Sequence, residues 1–310
     1  MEVVPDMPRD LLHVLFTMDC QPAVSRAAPE GPRTWAQSVR SIEGFCTRLL
    51  DAGLRPTLFA TPEVADAHAP LFEELAERGA EVGLYVQPQS LIGGGFSRFL
   101  GQHSREQQRA IVGLAVERFQ AASGERPSSV RPAMFSASDD TYAVLHEAGL
   151  RQGSVSSPGR RVSKHAAVWT GAPSDAHYVD ADSRLRPGAL PFLEIPVTAD
   201  ATQVRGGLSP DLGIENGTVD AWHRPLIEAQ LQRMAAEQVA FRALCSYTRN
   251  SFPFHDDEDR QAQTLEALIA YLETLRARYE IVPVTVAEAH LHFARVAPLE
   301  VVASVAAGQP

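Results

Sequence analysis

The stretch that decides the fold is Leu11–Pro22, LLHVLFTMDCQP. From Leu11 to Phe16 it is apolar apart from His13, and it then gives way to Thr17, Met18 and Asp19. A short apolar run bounded by Asp10 and Pro22 predicts a strand buried on both faces. His13, inside the run, is expected to be a satisfied core residue. Asp19 stands where the strand runs out. In α/β barrels and doubly wound sheets, chemistry gathers at the carboxyl ends of strands, so an acid there is a catalytic candidate. A turn or helix-capping Asp would look the same from this stretch alone.

Outward from this strand the chain alternates. Trp35 to Ala52 reads as a helix, with Ile42, Phe45, Leu49 and Leu50 on one face and Gly53 at its end. Arg55–Ala60 is a second strand. Thr61-Pro62-Glu63 opens a helix that is expected to run to Arg78. Glu81–Val86 is a third strand, ending in Gln87-Pro88-Gln89. Ser104–Ser123 is a helix with a Ser104/Gln107 capping box. Later strands are expected at Ser129–Phe135, Leu150–Val155, Leu193–Thr198, Val239–Tyr247 and Ile281–Val286. Helices are expected from Ser138 to Ala148, Pro225 to Gln238 and Asp259 to Tyr279. Such alternation indicates a parallel sheet with helical crossovers. Arg160–Pro191 lacks clean periodicity, and a long irregular loop in a compact domain is usually functional or disordered.

Length and composition narrow the class. The chain has 310 residues, 45% of them hydrophobic, which suits one barrel-sized unit over residues 1–310. A net charge of -10 argues against nucleic acid or an anionic membrane as a general partner. No apolar run is long enough to span a membrane. The N-terminus MEVVPDMPRD has no apolar signal core, and Cys20, Cys46 and Cys245 lack zinc-ribbon spacing. A reduced, cytoplasmic protein is the expectation. The Gly93-Gly94-Gly95 triplet has neither a dinucleotide-binding nor a P-loop context. Ser136 and Ser138 lack a nucleophile-elbow context.

The order of elements and the residues at the strand ends resemble the polysaccharide deacetylase family from about Leu11 to Glu288. The resemblance is carried by FTMDCQ (16–21), PTLFATPEVA (56–65), EVGLYVQPQS (81–90), RPAMFSASDD (131–140) and LEIPVT (193–198), with AWHRP (221–225) before a late strand. It implies a distorted (β/α) barrel of about seven strands. It also implies hydrolysis of a non-peptide C–N bond, an amide or acetamide, in a carbohydrate-derived substrate. In the family the first motif is T-F-D-D, whose first Asp is the general base and whose second binds a divalent metal. Asp19 matches the base, and Cys20 stands at the metal-binding position. Tyr85 matches the first metal-ligating His of the second motif, and Gln87 or Gln89 the second. A phenol and two amides are poor zinc ligands, so the expectation is that no metal or other cofactor is bound. Arg131-Pro132 matches the R-P pair that orients the base, and an Arg beside Asp19 would lower its pKa. It would equally serve as a structural partner for a buried carboxylate. The family's late-strand His, which protonates the leaving amine, has no counterpart at Cys245–Thr248. His255 is the nearest, either swinging in or lying in an exposed loop.

Trp169, His177 and Trp222 are further substrate-contact candidates. The indoles can stack on sugar rings or simply pack. Three readings follow. In the first, a metal-independent hydrolase, Asp19 activates water, Arg131 tunes it, and Tyr85, Gln87 or Gln89 stabilise the oxyanion. Asp19→Asn would then abolish turnover with little change in melting temperature. In the second, the chain binds a sugar or nucleotide-sugar without turnover. In the third, Asp19, Cys20 and a residue such as His177 hold a metal in an unusual way. The sequence leaves the oligomeric state open.

Overall fold

A computed structural model describes residues 10–24, 28–91 and 95–299. Gly93 and Gly94 of the glycine triplet, and the tail beyond residue 299, lie outside the described residues. The Leu11–Pro22 stretch forms strand β1, Asp10–Cys20. In chain order there follow α1 (Trp35–Asp51), β2 (Pro56–Ala60), α2 (Pro62–Ala67), α3 (Ala69–Glu77), β3 (Glu81–Val86), α4 (Arg105–Ser123), β4 (Ser129–Pro132), α5 (Thr141–Glu147) and β5 (Gln152–Gly153). Then come β6 (Arg161–Val162), β7 (Ala167–Val168), β8 (His177–Val179), β9 (Leu190–Glu194), α6 (Arg224–Ala236), β10 (Ala243–Arg249), α7 (Arg260–Leu275), β11 (Tyr279–Pro283) and α8 (Val286–Val296).

The main sheet runs β10-β1-β2-β3-β4-β5-β9-β8, parallel except for β8, so seven parallel strands make the curled wall of a distorted (β/α) barrel. β1 is its axis. One edge pairs with β10 over His13–Asp19, and the other pairs with β2 over Phe16–Cys20 and with β11 over Asp10–Val14. A strand covered on both faces has to be apolar on both, which is why its sequence is a run and not an alternation. Leu12, Val14, Phe16, Met18 and Cys20 pack outward with Ile42, Phe45, Cys46 and Leu49 of α1. Leu15 packs inward with Phe59, Tyr85 and Cys245. The period-2 alternation of a strand puts Thr17 and Asp19 on that same inner face.

No strand pair joins β9 to β10. The segment after β9 fills the gap instead. Thr198 N donates to Cys245 O (3.0 Å), Cys245 N to Thr198 Oγ1 (2.9 Å), Leu212 N to Thr198 O (3.0 Å) and Tyr247 N to Leu212 O (3.3 Å). At the amino ends of the strands α8 is the plug. Val286, Ala289 and Phe293 join the inner cluster, where His13 stacks on Phe241 at 4.0 Å between ring centres.

Several boundaries differ from expectation for identifiable reasons. The helix expected from Thr61 to Arg78 breaks at His68, because Pro70 in the first turn of α3 has no N–H to bond the Asp66 carbonyl and its ring crowds that carbonyl. β4 stops at Pro132, because Met134 and Phe135 adopt left-handed φ values of 59° and 58°. The strand expected at Leu150–Val155 is reduced to Gln152–Gly153. The strand expected to begin at Leu193 starts at Leu190 and ends at Glu194, and the following residues turn toward β10. β11 ends at Pro283 and α8 follows, opened by a Thr285/Glu288 capping box where the sequence reading had a strand continuing to Val286. Arg160–Pro191 is ordered by the short strands β6, β7 and β8. No helix among the described residues is long and apolar enough to cross a membrane.

Candidate active site

Asp19 ends β1 on the inner face, Tyr85 lies near the end of β3 and Arg131 near the end of β4. Their registers bring them together: Asp19 is level with Phe59 of β2, and Tyr85 with Arg131. Arg131 Nη1 donates to Asp19 Oδ1 at 2.9 Å and to Thr17 Oγ1 at 2.8 Å, while its Nε donates to Ser154 O at 3.0 Å. The guanidinium lies 4.6 Å from the centre of the Phe59 ring. The Tyr85 hydroxyl also hydrogen-bonds to Asp19. Asp19 is 5% exposed and Arg131 not at all. Burial pushes the Asp19 carboxyl above its ordinary value, and Arg131, Arg249 and Tyr85 pull it back only in part. Arg131 thus acts in the expected direction, but desolvation outweighs it.

A second polar group stands beside the first, where the filler segment meets β10. Arg249, level with Asp19 across the β1–β10 pairing, bonds Glu30 and lies with Nε 3.5 Å from Glu215 Oε1. Asp211 accepts from Gly213 N (3.1 Å) and Tyr247 Oη (3.3 Å) and pairs with Arg160 at 3.5 Å. Phe135 sits edge-on to Tyr247, with the Arg160 guanidinium 4.7 Å from its ring centre and that of Arg131 at 5.5 Å. Two consecutive non-glycine residues at positive φ are a strained way to leave a strand, and such strain concentrates at functional sites. Burial raises Glu215 to about 7 against the pull of Arg249.

Sequence reasoning missed Arg249, Glu215, Asp211 and Tyr247. Arg249 was findable by the same strand-end logic as Asp19. Glu215 and Asp211 come from the aperiodic stretch after β9, which carries no local signal.

The remaining sequence candidates are placed as follows. Cys20 faces away from Asp19 into the helix-side core, fully buried, and its thiol is pushed well up by desolvation and by Cys46 and Asp19. Gln87 is 6% exposed just after β3. Gln89, on the next turn, lines an open groove with Trp35, Glu63 and Ser90. Trp169 is fully buried and donates from Nε1 to Phe135 O at 2.8 Å; it fixes the strained turn and offers no face to a sugar. Trp222 donates from Nε1 to the main-chain carbonyl of Asp211 at 2.8 Å and so fixes the backbone that carries that residue. His177 lies on the antiparallel edge strand β8, with Nδ1 2.8 Å from Asp175 O and burial lowering it to about 4. His255 is exposed, its backbone packed against Gly44 of α1, in a surface depression with Arg40, Glu43 and Glu266. It does not swing in.

The donor set at the family's metal position does not fit a divalent cation. Tyr85 is a buried phenol pushed well above its ordinary value, Gln87 and Gln89 are amides, and the Cys20 thiol faces the other side of the sheet. The alternative trio of Asp19, Cys20 and His177 is distributed over two faces of β1 and an edge strand. Among the described residues no three His, Cys, Asp or Glu side chains are grouped to hold a metal.

No protein-family model and no curated protein matches the chain. Solved structures do. A protein assigned as a polysaccharide deacetylase from Mycobacterium smegmatis superimposes with TM-score 0.57 at 17% identity, covering 94% of this chain and 92% of that one. Puue allantoinase gives 0.56 at 15% identity, covering 95% and 93%. A second protein assigned as a polysaccharide deacetylase, from Pseudomonas aeruginosa PAO1, gives 0.58 at 14% identity, covering 94% and 93%. Likeness at this identity speaks for the fold, and by its seven-stranded parallel wall and its match over nearly the whole chain, this protein has the polysaccharide deacetylase fold.

Proposed function

We propose that the chain hydrolyses a non-peptide C–N bond, an amide or acetamide of a carbohydrate-derived substrate, with Asp19 as general base and without a divalent metal. The observation that carries this reading is the Asp19–Arg131–Tyr85 cluster at the carboxyl ends of β1, β4 and β3. A carboxylate raised by burial is a stronger base than an ordinary Asp, and Arg131 fixes its position. Asp19 takes a proton from water as the water oxygen attacks the carbonyl. Arg249, beside Asp19, supplies positive charge toward the developing oxyanion. A metal Lewis acid contributes several kcal/mol, and preorganised donors recover about 3 kcal/mol each, so slow or narrowly targeted turnover is the expectation. The buried free thiols Cys20, Cys46 and Cys245 support a reducing, cytoplasmic setting.

Binding of a sugar or nucleotide-sugar without turnover is the second reading, favoured by the 5% exposure of Asp19. The test is a substrate screen of N-acetylated sugar oligomers and ureides with wild type, Asp19→Asn and Tyr85→Phe, with folding checked by circular dichroism. Turnover that is lost in folded Asp19→Asn and reduced in Tyr85→Phe supports the hydrolase. Equal turnover in wild type and Asp19→Asn overturns it. Thermal stabilisation by a sugar with no product selects the binder.

A further inference from the structure

We propose that Glu215 is the general acid that protonates the leaving nitrogen, in the role for which His255 was a sequence candidate. The inference rests on the hydrolase reading above. Amide cleavage needs a proton on nitrogen as the C–N bond breaks, because an amide anion does not leave. The donor has to stand at the same end of the barrel as Asp19, keep a free oxygen, and be protonated in part of the population at working pH.

The buried carboxyls separate on these criteria. Glu81 lies at the amino end of β3, bound to Thr57, Ser129 and Ala287 N. Glu194 is saturated by Val155 N, Ser156 N and Ser156 Oγ. Asp211 is held by Gly213 N, Asn216, Tyr247 and Arg160. Glu215 differs from all three. Its side chain is 15% exposed, and its Oε2 is buried with no hydrogen-bond partner among the described residues. Its other oxygen faces Arg249, whose charge also acts on Asp19. One guanidinium therefore acts on both carboxyls, from a residue level with Asp19 across β1–β10.

The groups around Glu215 account for its proton affinity. Thr248, Tyr247 and Asp211 face it together with Arg249, and Arg249 is shared with Glu30. Desolvation and the like charge of Asp211 raise Glu215, and Arg249 holds it at about 7, where both protonation states are populated. The step balances. Asp19 accepts the proton of water as the C–O bond forms. The tetrahedral adduct then expels nitrogen with its electron pair, and nitrogen takes the Glu215 proton. The products are a carboxylic acid and an amine, and the two carboxyls regain their starting states by exchanging protons with solvent.

The test compares 4-nitroacetanilide with 4-nitrophenyl acetate. Both carry the same acyl group, but the phenolate leaves without a proton. Glu215→Gln should slow the anilide by about 100-fold or more and leave the ester within about threefold. The basic limb of the wild-type anilide pH profile, near pH 7, should vanish. Asp19→Asn should slow both probes. Equal slowing of the two probes by Glu215→Gln, or slowing of neither, overturns the Glu215 role while leaving the hydrolase reading in place. Wild type inert to both probes overturns the hydrolase reading, and the Glu215 role with it. A Glu215→Gln melting temperature close to wild type confirms that the comparison is between folded proteins.

Discussion

Arg131 Nη1 lies 2.9 Å from Asp19 Oδ1, a pair formed by residues 112 positions apart with almost no access to water. A buried ion pair of this kind is poor at adding stability but costly to break, because either partner left alone is an uncompensated charge. Arg131→Leu should therefore cost about 3–5 kcal/mol in denaturant unfolding. Asp19→Asn should cost less, since the amide oxygen still accepts from Nη1, but the melting temperature should fall by several degrees. The sequence alone suggested a nearly silent substitution there. That expectation weighed only the catalytic role of Asp19, and the full burial of its partner changes it. A loss below about 1 kcal/mol for Arg131→Leu would mean the pair is hydrated in solution.

Tyr85→Phe probes the other bond to Asp19. The hydroxyl favours the ionised carboxylate, so its removal raises Asp19 further. The acid limb of the rate profile should move to higher pH, and stability should drop by about 1 kcal/mol, the size of one hydrogen bond. An acid limb that stays in place would separate Tyr85 from the base.

The fold was legible because its signals are local. β1 is an uninterrupted apolar run, and α4 carries its own capping box, so both were readable residue by residue. α8 was missed because its apolar residues follow directly on β11 with only Thr285 between the periods. Of the site, Asp19 was readable because chemistry gathers at strand ends in a barrel, while Tyr85 and Arg131 were reached only through the resemblance to the deacetylase family's motifs. Trp169 was misread because an indole that packs and one that stacks look alike in sequence. Glu215 was invisible: its place depends on how the segment after β9 crosses to β10, which is a tertiary fact.

The placement of His255 makes a paired prediction. His255→Ala should change turnover by less than about twofold, as expected of an exposed side chain outside the site. Gly44→Ala should be destabilising, because a Cβ at Gly44 would come within 2.5 Å of His255 N and 2.6 Å of Phe254 C and O. Backbone cannot yield as a flexible side chain would, and overpacking costs about 1–3 kcal/mol. A large rate loss in His255→Ala would bring that loop back to the reaction.

Glu194 and His177, level with each other across β8–β9, should carry opposite pH terms. Glu194 is raised from 4.5 to about 7, so the folded chain holds that proton more tightly than the unfolded one. Its stabilising effect is complete below pH 4.5 and is lost as pH rises to about 7. His177 is lowered from 6.5 to about 4, so the unfolded chain takes up the proton first, and stability is lost as pH falls through that window. Each effect is bounded at about 3 kcal/mol. Relative to wild type, Glu194→Gln should gain stability with rising pH, and His177→Asn should lose it. Difference curves of unfolding free energy between pH 4 and pH 7 check both signs, and parallel curves would refute the burial argument.

Added metal should leave the protein unchanged. At the family's metal position the side chains are a raised phenol and amides; the thiol at that position, Cys20, lies on the opposite face of β1, and desolvation keeps both it and the inner-face thiol Cys245 protonated. A thiol binds zinc as its thiolate, so binding would require both deprotonation in an apolar core and a turn of the strand end. Zinc, cobalt or nickel at a tenfold excess, an ample loading for any site tight enough to matter, should shift the melting temperature by less than a degree, and chelator should not lower turnover. Elemental analysis giving one metal per chain, with a melting temperature that rises on metal addition, would show that ligands outside this donor set assemble around Asp19. The base would then be working beside a Lewis acid, and its raised proton affinity would no longer be the feature that carries the reaction.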